Sequence, residues 1–409
     1  MNYKNRLFCR CLTVASAVAI AFIQSQATFA LSAKTVNSIA EKVTVLINAK
    51  DSERGGEIVE NGSGAIVAKE GKTYYVLTAN HVVCEIIDRE VCRSRYNYQL
   101  VTANGKQYFL NNSKIKKLPG VDLAIVQFTS SENYPVATLA NYPLATADQF
   151  VYASGWVAPN RYIPRPQRLF SIGKIIPKDL MPLFRIFSPS LGYDLVYTSR
   201  TYAGMSGGPV FDTDGRVIAI HGQNEGEFIE DLQSQQQEPV RVAIGYSCAI
   251  PINLFLKLAP QSGLRLKLNV EYHYPVKPNL RDIGEQYYQE FPGLTPNTTN
   301  AIDLANYGNQ MWRLGQLALA LSYYDQALEI NPDFYQVWYE RGLMLTYWRH
   351  FPQAKESYDR ALQIIDSKLQ NDSNNQTLQI ARQNVLKLRT NLEHLNPVEP
   401  DRLPSKTRI

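Results

Sequence analysis

Between about residues 35 and 258 the chain alternates short apolar runs with polar punctuation. "KVTVLI", "GSGAIVA", "TYYVLTA", "DLAIVQF", "QFVYASGWV", "DLVYTS", "RVIAIHG" and "RVAIGYSCAI" are rich in β-branched and aromatic residues, and Gly, Asn, Asp and Pro separate them. Short runs of this kind, with no helical periodicity between them, predict strands of an all-β barrel or sandwich. The pattern changes at 259–300, where "APQSGLRLKL", "HYPVKPNL" and "EFPGLTPNTTN" are Pro-punctuated and weakly periodic. This stretch reads as a linker. From 301 the apolar spacing becomes helical.

The helical part repeats. Gly308, Ala320, Tyr324 and Ala327 recur 34 residues later as Gly342, Ala354, Tyr358 and Ala361. A period of that length, with small residues where two helices must cross closely, resembles the tetratricopeptide (TPR) repeat. Pro332 sits at the inter-repeat proline of that pattern; the second copy has Asp366 there, a departure. The expected units are 301–334 and 335–368. A capping helix over 377–394 presents Leu378, Ala381, Val385, Leu388 and Leu392 on one face, since a helical stack needs a terminal lid. Residues 301–395 thus form the repeat domain and 396–409 a tail. Most of the aromatics Tyr323, Tyr324, Trp338, Tyr339, Tyr347 and Trp348 are expected in the core. The resemblance implies a concave groove for an extended protein segment, with a spacer or a dimerisation face as the alternatives.

The N-terminus has the form of a secretory signal. Lys4, Arg6 and Arg10 precede the apolar core "CLTVASAVAIAFI", and small residues follow in "QSQATFA". Cleavage after Ala27 and after Ala30 both remain open, as does an uncleaved anchor, although the apolar run is short for a membrane span. The reading is an exported bacterial protein, periplasmic or extracellular, with residues 1–30 removed and no membrane span thereafter. The formal charge is +5, and +2 without residues 1–30, and no basic stripe stands out elsewhere, so nucleic-acid binding is excluded. With 45% hydrophobic and 19% charged residues the 409-residue chain is globular, with two or three domains. In an exported protein Cys84 and Cys92, flanking "CEIIDREVC", can be bridged; two free thiols are the alternative. Cys248 is left over as a small buried residue. No metal cluster or nucleotide loop is apparent, and no cofactor is expected.

"GMSGGPVFD" (204–212) places Ser206 among small residues just before an apolar strand. It satisfies Gly-x-Ser-x-Gly, the turn of α/β-hydrolases, but those enzymes take their acid and histidine after the serine and alternate strands with helices. Here His81 ends "GKTYYVLTANHVV" and Asp122 opens "GVDLAIVQF", both ahead of Ser206. With "GSGAIV" (62–67) leading to the histidine strand, residues 40–258 resemble the trypsin-like serine peptidases (chymotrypsin fold), in particular their bacterial branch. The resemblance implies a double β-barrel over 31–258, split near 145, and a helical TPR-like domain behind it. It implies His81 as general base, Asp122 as its orienting carboxylate and Ser206 as nucleophile of an acyl-enzyme mechanism. The backbone N–H groups of Gly204 and Ser206 would form the oxyanion hole. Methionine at 205 stands where digestive members carry the Asp that pairs with a new N-terminus, so activity is expected without further proteolytic activation.

The residue six before Ser206 is Arg200, not the Asp that holds a basic side chain. Thr201, five before, and His221, fifteen after, resemble the pocket of glutamyl endopeptidases in the same family. A hydroxyl and an imidazole can hold a substrate carboxylate, which implies cleavage after Glu or Asp; a loose apolar preference is the alternative. Gly222, Gln223 and Asn224 would pair with the substrate backbone as an added strand. Substrates are thus proteins or peptides. The alternatives to an endopeptidase are a catalytically inactive peptidase-fold scaffold that binds proteins and, less in keeping with the order of the motifs, a serine esterase.

Overall fold

The computed structural model describes residues 30–84, 96–144, 149–159, 164–177, 180, 190–225, 228–229, 242–243, 246–278, 283 and 299–393. The expected signal segment apart from Ala30, Cys92 and the tail 396–409 lie outside the described residues.

A helix opens the described chain. α1 (Ala33–Val43) is capped by the Ser32 side chain, which accepts from the Thr35 N–H, and it buries Ala33, Val36, Ala40 and Val43. The strand-rich reading from about 35 passed over this helix, because its polar face separates the apolar positions.

Among the described residues seven strands then build the first sheet. They are β1 (Thr44–Asp51), β2 (Glu57–Glu70), β3 (Thr73–Ala79), β4 (Tyr96–Val101), β5 (Gln107–Phe109), β6 (Lys116–Lys117) and β7 (Leu123–Thr129). Their order β5-β4-β1-β2-β3-β7-β6 curls into a half-barrel. A four-residue helix, α2 (Asn80–Val83), follows β3. Ile66, Tyr74, Val76, Val126 and Phe128 fill the barrel, with Tyr74 stacked on Phe128 at 5.1 Å. The intervening Ala65, Val67, Leu77 and Ile125 face the larger core shared with the rest of the chain. Strands buried on both faces carry continuous apolar runs, which is why "GAIVA" and "DLAIVQF" do not alternate.

The second half-barrel contains β8 (Thr138–Ala140), β9 (Phe150–Val157), β10 (Gln167–Lys174), β11 (Leu195–Tyr197), β12 (Pro209–Phe211), β13 (Val217–Glu225), β16 (Tyr246–Pro251) and β17 (Asn269–Glu271). A short ribbon, β14 (Phe228–Ile229) with β15 (Val242–Ala243), lies between β13 and β16 in the chain. The main order is β10-β9-β12-β13-β16-β11, with β8 on β13 and β17 on β8. Two expectations change. The second sheet takes up its first strand at Thr138, ahead of the split near 145. The stretch 259–300, read as a linker, holds the end of helix α3 (Ile252–Gln261) and then β17, which pairs in parallel with β8 through Val270 and Leu139. The missed signal is period two: Leu264, Leu266, Leu268 and Val270 all pack on the core. Glu271 also joins a buried ion cluster, where Arg216 meets it at 3.2 Å, Asp212 at 2.8 Å and Asp214 at 3.3 Å.

Five helices end the described chain: α4 (Ala301–Arg313), α5 (Leu317–Ile330), α6 (Tyr335–Tyr347), α7 (Phe351–Asn371) and α8 (Gln376–Leu392). α4 packs on α5 and α6 on α7 as successive hairpins. A Cβ on Gly308 would lie 2.7 Å from the Tyr324 ring, and one on Gly342 would lie 2.4 Å from the Tyr358 ring. Both glycines are therefore where a tyrosine of the next helix crosses closely. α8 packs on α7 and buries Leu378, Ala381, Val385, Leu388 and Leu392. The turn after α4 rests on the second barrel, since a Cβ on Gly315 would lie 2.6 Å from the Lys174 Nζ. Among the described residues no helix is long and apolar enough to cross a membrane.

α6 carries polar residues inward. Glu340 and Leu343 are buried as fully as Val337 and Met344. Burial pushes the Glu340 carboxyl from 4.5 up to about 8, with Asn309 and Arg313 only partly opposing the rise. The folded chain then holds this proton more tightly than the unfolded one, so the associated stability is present below pH 4.5 and is lost as pH rises through about 8. Glu340→Gln keeps the shape without the charge. Urea unfolding followed by circular dichroism is expected to give a midpoint that falls across this window in the parent chain and falls less in the variant.

Candidate active site

β3 ends at Ala79 and α2 turns His81 toward the seam between the two half-barrels. Asp122 precedes β7, the strand paired with β3, and the Asn80 N–H donates to the Asp122 carbonyl at 3.1 Å. Strand pairing thus carries the two side chains into contact. The His81 Nδ1 lies 2.6 Å from the Asp122 Oδ2, and the His81 backbone N–H donates to the Oδ1 at 2.9 Å. The carboxylate is buried at 1% exposure while the imidazole keeps 33%. A buried carboxylate on Nδ1 fixes the tautomer that leaves Nε2 as the acceptor.

Ser206 comes from the second half-barrel, on the turn before β12. Its hydroxyl and His81 line one cleft with Ile47, Ala49, Glu60, Asn61 and Val82. The hydroxyl donates to the Gly222 carbonyl at 3.1 Å, not to His81. A rotation about χ1 is the movement that would redirect it, and nucleophile–base hydrogen bonds are often made only in the complex.

The turn around Ser206 is held by its carbonyls. The Ser63 N–H on β2 donates to the Ser206 carbonyl at 2.7 Å, and the Ser63 hydroxyl donates to the Gly204 carbonyl at 2.9 Å. The Ser63 Oγ also accepts from the Trp156 N–H at 2.8 Å. Gly207 N–H donates to the His221 carbonyl at 2.7 Å. The N–H groups of Gly204 and Ser206 meet no acceptor among the described residues. Gly204 has φ 90°, and a Cβ there would lie 2.5 Å from the Ala158 nitrogen, so only glycine fits. Met205 is buried in the core against Gly155. Ser63 was quoted in "GSGAIV" without a role. Its role is invisible in sequence because its partners are 141 and 143 residues away.

Thr201 and His221 are the ends of one buried chain of hydrogen bonds. The Thr201 Oγ1 lies 2.6 Å from the Ser247 Oγ on β16. Tyr197 on β11 is bonded to Ser247 and lies 2.9 Å from the His221 Nδ1. Burial and the neighbouring Cys248 push the Tyr197 phenol well above its ordinary pKa. Ser247 and Tyr197 were missed because neither lies in a motif. Gly222, Gln223 and Asn224 follow the point where β12 stops pairing with β13 at Ile220; Gln223 and Asn224 pair with Cys248 and Ser247 of β16 on the other side, and Gly222 falls at the register shift before them. Arg200 lies over the Tyr202 ring at 4.8 Å. Cys84 is disulfide-bonded, and Cys92 lies outside the described residues.

Residues 62–220 match the family model described as a trypsin-like peptidase domain. Two similar proteins are both called "Probable periplasmic serine endoprotease DegP-like". The one from Hahella chejuensis is 26% identical over 211 residues, 50% of this chain and 36% of that protein. The one from Pseudomonas fulva is 27% identical over 206 residues, 49% of this chain and 34% of that protein. The chain therefore spans about a third of the length of the curated relatives it matches. These likenesses support a trypsin-like serine peptidase domain in the strand-rich half.

Removing the Ser63 hydroxyl strands the Gly204 carbonyl and the Trp156 N–H together. Ser63→Ala is expected to lower the unfolding free energy by about 1–3 kcal/mol, read from denaturant unfolding of the full chain.

Proposed function

We propose that this protein is an exported serine endopeptidase that works through His81, Asp122 and Ser206. The reading is supported by the buried carboxylate on the His81 Nδ1, by the shared cleft of His81 and Ser206, and by the N–H groups of Gly204 and Ser206, which meet no acceptor among the described residues. His81 takes the Ser206 proton as the hydroxyl attacks the scissile carbonyl, and Asp122 stabilises the imidazolium that results. The oxygen of the tetrahedral intermediate sits on the Gly204 and Ser206 N–H groups. Collapse expels the amine, which takes its proton from His81, and water then repeats the sequence on the acyl-enzyme. Losing one oxyanion donor typically costs about 100–1,000-fold in turnover. A periplasmic location accords with the names of the two relatives, and export to the periplasm or beyond accords with the signal-like N-terminus.

Substrate backbone would add to the open side of Gly222–Asn224. The chain Thr201–Ser247–Tyr197–His221 suits a P1 carboxylate, since it sets a hydroxyl and an imidazole, the latter fixed by the Tyr197 contact, behind the turn that carries Ser206. The helices would recruit a protein partner, and on α6 the half-buried residues are Trp338 and Arg341.

The competing reading is an inactive scaffold, favoured by the Ser206 hydroxyl turning to Gly222. A fluorophosphonate probe separates the two. Covalent labelling of the full chain, abolished in Ser206→Ala, is expected for the peptidase; an unlabelled parent chain overturns it. Proteome-wide cleavage profiling of the protein beginning near residue 31 is expected to show cuts after Glu or Asp, without further trimming of the chain. In His221→Ala the preference for those residues is expected to fall about 10–100-fold, the worth of a hydrogen bond to a charge. Cleavage chiefly after Lys, Arg or large apolar residues removes the acidic preference.

A further inference from the structure

The hydroxyl of Tyr193 has no part in the scheme above, yet it reaches the centre of the site. It donates to the Asp122 Oδ2 at 2.5 Å, the same oxygen that faces the His81 Nδ1. Tyr193 belongs to the second half-barrel, on the segment leading into β11, whereas Asp122 belongs to the first. The phenol is buried at 4% exposure.

Three further features are built around this contact. The Asp122 N–H donates to the Leu191 carbonyl at 3.0 Å, so the same segment grips both the backbone and the carboxylate of one residue. Leu191 has φ 76° and ψ 14°, a left-handed conformation that is costly for a leucine and persists only where surroundings impose it. A Cβ on Gly222 would lie 2.2 Å from the Tyr193 oxygen, so the strand carrying the acceptor of the Ser206 hydroxyl is cleared for the phenol.

We propose that Tyr193 is a positioning residue of this site: its phenol, delivered from the second half-barrel, holds the Asp122 carboxylate in the orientation that aims the imidazole of His81. This inference rests on the peptidase reading. A carboxylate oxygen shared by two donors is fixed in direction, where an oxygen with one donor can swing. Burial and then the Asp122 charge push the phenol far above its ordinary pKa, so it remains a donor across the working range. The phenol also draws charge from Asp122. Without it, more negative charge faces the imidazole. The other titratable groups near the His81–Asp122 pair are Cys248 on β16, whose thiol lies beside Tyr193, and Glu60 of β2 in the cleft.

The test is Tyr193→Phe in the full chain, with Ser206→Ala as the blank. The rate of fluorophosphonate labelling and peptide hydrolysis are followed against pH, and thermal unfolding is followed in parallel. The expected result is a drop in kcat of about tenfold, the lower end of what a hydrogen bond to a charge contributes, with KM unchanged. The acid limb of the profile moves to higher pH, and the unfolding midpoint stays near that of the parent chain. A purely structural tyrosine would lower the midpoint and the active fraction but leave the limb in place. That outcome, or an unchanged kcat, overturns the proposal. If the parent chain itself is not labelled, the peptidase reading is what has failed. The Nδ1 proton of His81 then decides the contact by itself: its downfield resonance is expected to shift in Tyr193→Phe, and an unmoved signal overturns the role of the phenol.

Discussion

The candidate site depends on a grip between two sheets. β2 of the first half-barrel reaches into the second through Ser63, whose N–H and hydroxyl take the carbonyls of Ser206 and Gly204. The Gly204 and Ser206 N–H groups belong to the preceding peptide units, whose carbonyls, on Ala203 and Met205, accept from the N–H groups of Ala158 at 2.8 Å and Gly208 at 2.9 Å. A peptide unit presents its oxygen and its hydrogen to opposite sides. Holding those two carbonyls thus turns both N–H groups away from the bonds that anchor them, and they meet no acceptor among the described residues. The same join explains the double-sided burial of β2, β3 and β7, since strands that carry a grip across a seam have no face left for solvent.

The seam is also why some residues were legible in sequence and others were not. His81, Asp122 and Ser206 each sit in a local pattern: a histidine after an apolar strand, an aspartate before one, a serine in a glycine turn. Their order along the chain identified the fold class. Tyr193, Ser63, Tyr197 and Ser247 have no local pattern, because each acts across a pairing that only the folded sheets create. Helix α1 was read through because its apolar residues are three and four apart within a region scanned for strands. β17 was missed because proline and glycine on either side outweighed an alternation of only four residues, from Leu264 to Val270.

In the helical half, spacing recovered the hairpins because small residues at Gly308 and Gly342 are required by the tyrosines that cross them. A period in sequence fixes how a helix packs on its successor; it says nothing of what covers the remaining face. In α6 a carboxyl group, that of Glu340, is enclosed. A polar group in such a place is costly to keep.

β17 and the Gly315 turn have a mechanical consequence. The chain that leaves the second barrel for the helices does so from a strand locked by the Arg216–Glu271 pair, and the first helical turn bears on Lys174 at the end of β10. Tension applied to the helices by anything they hold would load these two points together. The sheet that carries Ser206 would be the part to feel the pull.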